Sequence, residues 1–174
     1  GKNDAEPSAQ VRERVQAARE RQQQRSGVAN FRLGTKQIEL VCALDADNRM
    51  TGLRCKVLDD YGAYFQYGVG HHGNALSQIV GPYRIRSVDL DITAVLTNKC
   101  PSGANRGIGK PFMCFAIERA MALLARRLGM DPAELRFKNF VKSEQFPYTS
   151  ALRCEYDCGN YAVGLHLVMA RIGY

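Results

Sequence analysis

The fold is decided by residues 88–128, which read VDLDITAVLTNKCPSGANRGIGKPFMCFAIERAMALLARRL. The first ten of these residues alternate apolar and polar side chains, which predicts a strand over 88–97. Its apolar members include Val88, Leu90 and Ile92. The last eighteen begin with a proline, carry apolar residues at helical spacing and are followed by Gly129, which predicts a helix over 111–128. Because the apolar face of such a strand must be covered, we expect this helix to pack on it.

Two more strands are predicted earlier in the chain, over 37–44 and 50–58, as a hairpin joined by a turn rich in Asp and Asn. The same patterns predict, in order, an aromatic extended segment over 61–67, a loop over 68–82 with a helical turn around 75–79, a helix over 133–140 capped by Asp131, and a helix capped by Asn160 that ends near Ile172. Strands that come before helices predict an α+β fold, a mostly antiparallel sheet with helices packed on one face.

The first 33 residues differ in character from the rest. Residues 8–24 contain almost no helix breaker and predict a separate N-terminal helix with a narrow apolar stripe. That stripe consists of Val11, Val15 and Ala18. Residues 25–34 read as a linker after Ser-Gly. We therefore divide the chain into a basic helix and linker at 1–33 and a second domain at 34–174.

The chain has a net charge of +7, to which residues 1–33 contribute +3 from seven basic and four acidic groups. A short basic helix of this kind either contacts nucleic acid or an acidic protein partner, or has a solvated charged face. The longest uncharged apolar run is too short to span a membrane, and no signal-peptide core follows Lys2. We therefore expect a cytoplasmic protein without a membrane partner.

The six cysteines do not predict a metal centre. The single close pair is Cys154 and Cys158, and no second pair or nearby histidine completes a zinc ligand set. Reduced and mostly buried thiols are the expectation. His71 and His72 stand side by side among glycines, where exposed loop side chains are expected.

The segment that carries chemistry connects the predicted strand to the long helix and reads TNKCPSGANRGIGKP over 97–111. Three glycines fall within seven residues, at Gly103, Gly107 and Gly109. Such a loop lets backbone amides approach a ligand, and the helix that follows adds a positive dipole end beside Arg106 and Lys110. These residues predict either an anion site or a plain turn with solvent-facing cations. The glycine spacing does not match a P-loop.

Residues from about 36 to 174 resemble part of the molybdenum-binding large subunit of the xanthine dehydrogenase, aldehyde oxidase and carbon monoxide dehydrogenase family. The resemblance covers about four fifths of the chain. It rests on stretches that match in order and spacing, at residues 45–54, 60–64, 81–85, 97–111, 128–136, 138–140 and 146–149.

The resemblance implies oxidative hydroxylation of an aldehyde or an N-heterocycle at a molybdopterin centre. Electrons would leave through partner subunits or domains that carry iron–sulfur clusters and FAD. Cofactor binding is implied for the loop residues Gly103, Ala104, Asn105, Arg106 and Gly107. Arg106 would also orient the substrate, because a guanidinium makes two parallel hydrogen bonds to carbonyl or carboxylate oxygens.

Several positions depart from the family pattern. Asn105 and Ile108 stand where family members carry aromatic residues, and Gly107 stands where the carbon monoxide branch has its copper-binding cysteine. Carbon monoxide is therefore not the expected substrate. The family's glycine-rich pterin loop and its general-base glutamate are not found in these 174 residues, so the catalytic set is incomplete here. We expect the chain to be inactive alone and to require the remainder of a large subunit.

Residues 7–22 resemble a helix near the C-terminal end of magnesium-chelatase-like AAA+ ATPases, although no Walker motif accompanies them. An alternative to the enzyme fragment is a binding module whose basic N-terminal helix contacts nucleic acid or a protein. Nucleic acid is expected as a partner only under this alternative.

Overall fold

The computed structural model describes residues 27–33, 36–65, 70–103, 106–107 and 109–174. The predicted helix over 8–24 lies outside these residues. Helices and strands alternate with loops in the following order: β1 (Gly27–Leu33), β2 (Lys36–Leu44), β3 (Met50–Asp60), α1 (Gly70–Leu76), β4 (Ser87–Val95), α2 (Lys110–Leu128), α3 (Pro132–Asn139), a 3-10 turn (Ser143–Gln145), β5 (Tyr148–Thr149), β6 (Glu155–Tyr156) and α4 (Tyr161–Ile172).

Four strands form one mixed sheet in the order β1-β2-β3-β4. The β1–β2 and β2–β3 pairs are antiparallel, whereas β3 and β4 run parallel from Gly52 opposite Ser87 to Asp60 opposite Val95. The predicted α+β class, with two of three pairings antiparallel, is confirmed. The parallel pair means that β3 and β4 end at the same edge of the sheet.

The hairpin turn between β2 and β3 is built by the predicted Asp and Asn residues. The Asp45 carboxylate accepts hydrogen bonds from the amides of Asp47 and Arg49, both at 2.9 Å. Asn48 adopts a left-handed φ of 63°, which asparagine tolerates better than most residues. The turn therefore directs the chain back along β2.

The core lies between the sheet and α2. Alternate residues of β2 and β3 are buried, and α2 covers them with one apolar face. The sheet contributes Ile38, Leu40, Leu53, Cys55 and Val57, and the helix contributes Met113, Ala116, Ile117, Ala120, Met121 and Leu124. The helix α2 was expected on the apolar face of β4, but it lies against β1 and β2 instead. The β4 residues Val88, Leu90 and Ile92 are half-buried at the margin of the core.

Helix ends follow the sequence signals. Gly129 closes α2 with a left-handed φ of 63°. The Asp131 side chain accepts hydrogen bonds from the first amides of α3, and the Asn160 side chain accepts one from Val163 at the start of α4. Each of these caps was predicted.

Three segments differ from the prediction. Residues 27–33, predicted as linker, form β1, because their backbone pairs residue by residue with the outer edge of β2. The predicted extended segment over 61–67 ends early, because Gly62 turns the chain with a φ of 75°. The helical turn expected at 75–79 occurs instead as α1, at Gly70–Leu76.

No helix in the described part of the chain combines the length and the apolar character needed to cross a membrane.

Candidate functional site

The glycine-containing loop over 97–111 joins β4 to α2 at the carboxyl edge of the parallel pair. Because β3 and β4 end side by side, the chain that follows β3 lies directly against the beginning of the loop. Four main-chain hydrogen bonds connect the two segments, from Tyr61 to Val95, Thr97 to Gly62, Ala63 to Lys99 and Ser102 to Tyr61, at 2.8–3.0 Å. The first half of the loop is thus fixed on the sheet edge.

Asp60, the last residue of β3, fastens this loop with its carboxylate. It accepts hydrogen bonds from the Lys99 ammonium, from the Thr97 hydroxyl at 2.6 Å and from the Gly62 amide at 3.0 Å. These donors, with Lys99 the largest contributor, lower the pKa of Asp60 to about 2. The carboxylate therefore stays ionised at neutral pH and keeps its three hydrogen bonds to the loop; we call these bonds the Asp60 clasp.

Gly62 is required where β3 meets the loop. Its φ of 75° is left-handed, and a Cβ at this position would lie 2.3 Å from the carbonyl oxygen of Cys100. A side chain here would push the loop off the sheet edge.

The second half of the loop turns into α2 through two left-handed glycines. Gly107 has a φ of 84° and Gly109 a φ of 78°, and the Lys110 amide donates to the Gly107 carbonyl at 3.0 Å. A Cβ on Gly107 would lie 3.1 Å from Cγ of Pro111. The turn therefore depends on glycine at 107.

The start of α2 is electrically positive. Gly109 provides no side-chain cap, and the first turn contains no acidic residue. Arg106 is exposed and Lys110 is half-buried, and neither forms an ion pair with the residues that the structure describes. A helix dipole and two cations that form no ion pair among the described residues are features that attract an anion.

Of the five predicted cofactor-binding residues, Gly103, Arg106 and Gly107 lie in this arrangement. Ala104 and Asn105 lie outside the described residues, as does Ile108. Exposed Arg106 and half-buried Lys110 supply the positive charge that the phosphate of a pterin cofactor would require.

A buried polar network, which the sequence did not predict, supports the base of the loop. Asp59 accepts hydrogen bonds from Lys36 Nζ at 2.9 Å and lies 3.1 Å from His72 Nε2. His72 Nδ1 lies 3.3 Å from the Tyr61 hydroxyl, and the Tyr61 main chain binds Ser102. The expectation that His72 is exposed is wrong, because α1 turns its side chain inward to 6% exposure.

The cysteines also differ from the prediction. Cys42 and Cys55 are buried, which raises the pKa of each thiol to about 12, whereas Cys100, Cys114 and Cys158 are exposed. The expectation of mostly buried thiols is therefore wrong. In the described residues, no three His, Cys, Asp or Glu side chains form a group that could hold a metal ion.

The model of the molybdopterin cofactor-binding domain family matches residues 8–140. The chain belongs to this family. The resemblance inferred from the sequence motifs is thus confirmed, and the match begins within the predicted N-terminal leader.

Known relatives of this molybdopterin cofactor-binding domain are much longer proteins. It is 36% identical over 142 residues to the carbon monoxide dehydrogenase large chain of Afipia carboxidovorans, covering 76% of this chain and 17% of the relative. Its fold matches the reconstituted CO dehydrogenase from Oligotropha carboxidovorans with a TM-score of 0.72 at 35% identity, covering 80% of this chain and 18% of that one. It matches quinoline 2-oxidoreductase from Pseudomonas putida 86 with a TM-score of 0.73 at 32% identity, covering 79% and 18%. The 174 residues therefore span less than a fifth of each of these relatives.

Proposed function

We propose that this chain forms one wall of the molybdopterin pocket of a molybdenum hydroxylase that oxidises an aldehyde or an N-heterocycle. The observation that carries the proposal is the loop before α2, where two left-handed glycines, the positive end of the helix dipole and two cations meet on a rigid support. Because the chain belongs to the molybdopterin cofactor-binding domain family, we identify the anion as the pterin cofactor.

Each part of the loop has a role in this proposal. Cofactor binding is assigned to Gly103, Ala104, Asn105, Arg106 and Gly107, and Lys110 adds positive charge beside them. Arg106 orients the substrate through two parallel hydrogen bonds to a carbonyl or carboxylate oxygen. When bound, the cofactor would supply the oxidising chemistry, and the partners in this proposal would be subunits or domains that carry iron–sulfur clusters and FAD.

Gly107 supports an organic substrate over carbon monoxide. A cysteine there, as in the copper-containing branch, would have to adopt a φ of 84° and place its Cβ 3.1 Å from Pro111. Both conditions are unfavourable for a residue with a side chain. The quinoline 2-oxidoreductase among the structural matches carries a name consistent with an N-heterocyclic substrate.

The pocket is completed by polypeptide that corresponds to the rest of the relatives. Since this chain covers 17% of the carbon monoxide dehydrogenase large chain, the proposal assigns it no turnover without that remainder. A cytoplasmic location is part of the same proposal.

Cofactor retention by the 174-residue chain tests the proposal. The chain is incubated with molybdopterin, passed through a desalting column and assayed for pterin fluorescence after oxidation. Replacing both loop cations, Arg106→Gln with Lys110→Gln, is expected to reduce retained pterin at least about tenfold. The matched control replaces Arg126 and Arg127, two exposed arginines in the last turn of α2, and is expected to retain pterin as the unmodified chain does. Equal retention in both double variants would contradict the proposal.

A further inference from the structure

A second concentration of positive charge lies in a cleft at the other end of the sheet. The cleft has a volume of about 90 Å³, and four cations and one acid line it. These charged residues are Arg49, Arg84, Arg86, Lys138 and Asp45. It lies where β3 and the parallel β4 begin, whereas the loop before α2 lies where they end. At about 3.3 Å per residue, the eleven residues of β3 separate the two places by roughly 30 Å.

In the part of the chain that the structure describes, the cations of this cleft differ from other cations in forming no ion pair with a side chain. Arg54 pairs with Asp89, and Arg136 pairs with Glu118. Within the described ranges, by contrast, none of the four cleft cations forms an ion pair with a side chain. Four positive charges and one negative charge leave a local charge of +3 out of +7 for the chain. Arg49, Arg86 and Lys138 are exposed and Arg84 is half-buried, so water reaches all four cations and an anion in the cleft would be attracted by each of them.

The floor of the cleft is rigid because buried Asn139 fastens it. The Asn139 side-chain oxygen accepts a hydrogen bond from the Met50 amide at 2.6 Å, and its amide group donates to the carbonyls of Asn48 and Leu135. The Asn139 main-chain carbonyl accepts from the Arg84 amide at 2.9 Å. One residue thus holds together the hairpin turn, the approach to β4 and the end of α3, which are the three segments that carry the cations.

We propose that this cleft binds a compact oxyanion with two negative charges, namely a phosphate group, either free or at the end of a small phosphomonoester. Guanidinium groups match phosphate oxygens in pairs, and three arginines surround this cleft. The small volume favours a single phosphate group over an extended acidic segment, which would require a groove. Since the backbone is already fixed, binding does not require the segments to be reordered.

Calorimetric titration of the 174-residue chain with inorganic phosphate tests the site, at neutral pH and constant ionic strength set with chloride. Glycerol 3-phosphate forms a parallel arm that distinguishes a phosphomonoester from the free ion. The double variant Arg84→Gln with Arg86→Gln is expected to bind at least about tenfold more weakly. The control Arg126→Gln with Arg127→Gln makes the same change in net charge outside the cleft, and we expect it to bind phosphate as the unmodified chain does.

Three results would overturn the proposal. The first is that the unmodified chain binds neither phosphate nor glycerol 3-phosphate. The second is that a hexaglutamate peptide binds more tightly than both compounds. Phosphate binding could also persist in the cleft variant and disappear in Arg106→Gln with Lys110→Gln, which would place the anion at the loop before α2. Lys138→Gln, an exposed single substitution, provides a second cleft variant in case the double variant fails to fold by circular dichroism. It is expected to weaken binding in the same direction.

Discussion

Gly62 shows how one residue determines the position of the loop before α2. Gly62 has a left-handed φ, and a Cβ at this position would lie 2.3 Å from the Cys100 carbonyl oxygen. Any residue larger than glycine would therefore force the backbone to move. The motif Asp60-Tyr61-Gly62 was visible in the sequence as part of the family resemblance. Its role in clasping the loop was not visible, because the partners Thr97, Lys99 and Cys100 lie more than thirty positions away.

Replacing Gly62 by alanine is expected to lower the free energy of unfolding by about 1–3 kcal/mol, since a strained backbone and a main-chain clash are both introduced. Urea denaturation measures the change. The matched control is Gly73→Ala, because Gly73 lies within α1 and a Cβ there meets nothing within 4 Å. That substitution is expected to be neutral or stabilising. Equal destabilisation by both substitutions would show that Gly62 has no special role.

The Asp60 clasp predicts an acid dependence of stability. Its pKa is lowered to about 2 in the folded chain, against 3.8 as the reference value. Its stabilising contribution is therefore complete above about pH 3.8 and decreases as the pH falls towards 2, because the unfolded chain takes up the proton first. In Asp60→Asn this part of the dependence is expected to vanish, which denaturation at stepped pH between 2 and 5 would measure. An unchanged pH profile in the variant would refute the assignment.

The buried group of Asp59, His72 and Lys36 illustrates what sequence patterns miss at this scale. A histidine flanked by glycines predicts exposure when only neighbours in the chain are considered. Burial became favourable because α1 brings His72 to a carboxylate that already binds Lys36, so that the polar groups have partners away from water.

The elements with strong periodicity were predictable. The hairpin of β2 and β3, the strand β4 and the helices α2, α3 and α4 follow from alternation, helical spacing and caps. β1 was missed because the Ser-Gly pair at its start indicates a linker, although residues 29–33 alternate apolar and polar side chains. Pairing with the edge of β2 stabilises these residues as a strand. The parallel direction of β4 was also hidden, since the chain that connects it to β3 carries no regular signal.

Helices α2 and α4 are expected to differ in local stability. Helix α2 buries eight residues, whereas α4 buries none and leaves Val163, Leu167, Val168 and Ile172 exposed. Helix α4 is held by its Asn160 cap and by ring contacts. In one of these contacts the ring centroids of Phe137 and His166 lie 4.3 Å apart.

Amide hydrogen exchange followed by mass spectrometry should therefore be at least about tenfold faster in α4 than in α2. The exchange rates of the exposed amides at the ends of both helices serve as the reference to which the rates within each helix are compared. Equal protection in the two helices would mean that another polypeptide, or a second copy, covers α4 in solution.

For the molecule as a whole, the cysteines report on cooperative unfolding. Cys42 and Cys55 lie in the centre of the sheet, and their pKa of about 12 keeps them as unreactive thiols at neutral pH. A thiol reagent is expected to modify exposed Cys100, Cys114 and Cys158 in the native chain and the two buried thiols only after urea unfolds the sheet. Mass spectrometry of peptides before and after denaturation assigns the sites. Early labelling of Cys55 would indicate that the sheet opens without global unfolding.

The sheet has one further property at this scale. In the described part of the chain, β4 is bonded to β3 on one side only, so its other side presents backbone N–H and C=O groups in a row. Asp89 and Asp91 project from this strand, and both are exposed. Asp89 pairs with Arg54, and Asp91 lies opposite Lys56 on β3, so this side of the sheet carries charges of both signs. The row of backbone groups along β4 is therefore the place at which a further strand would extend the sheet.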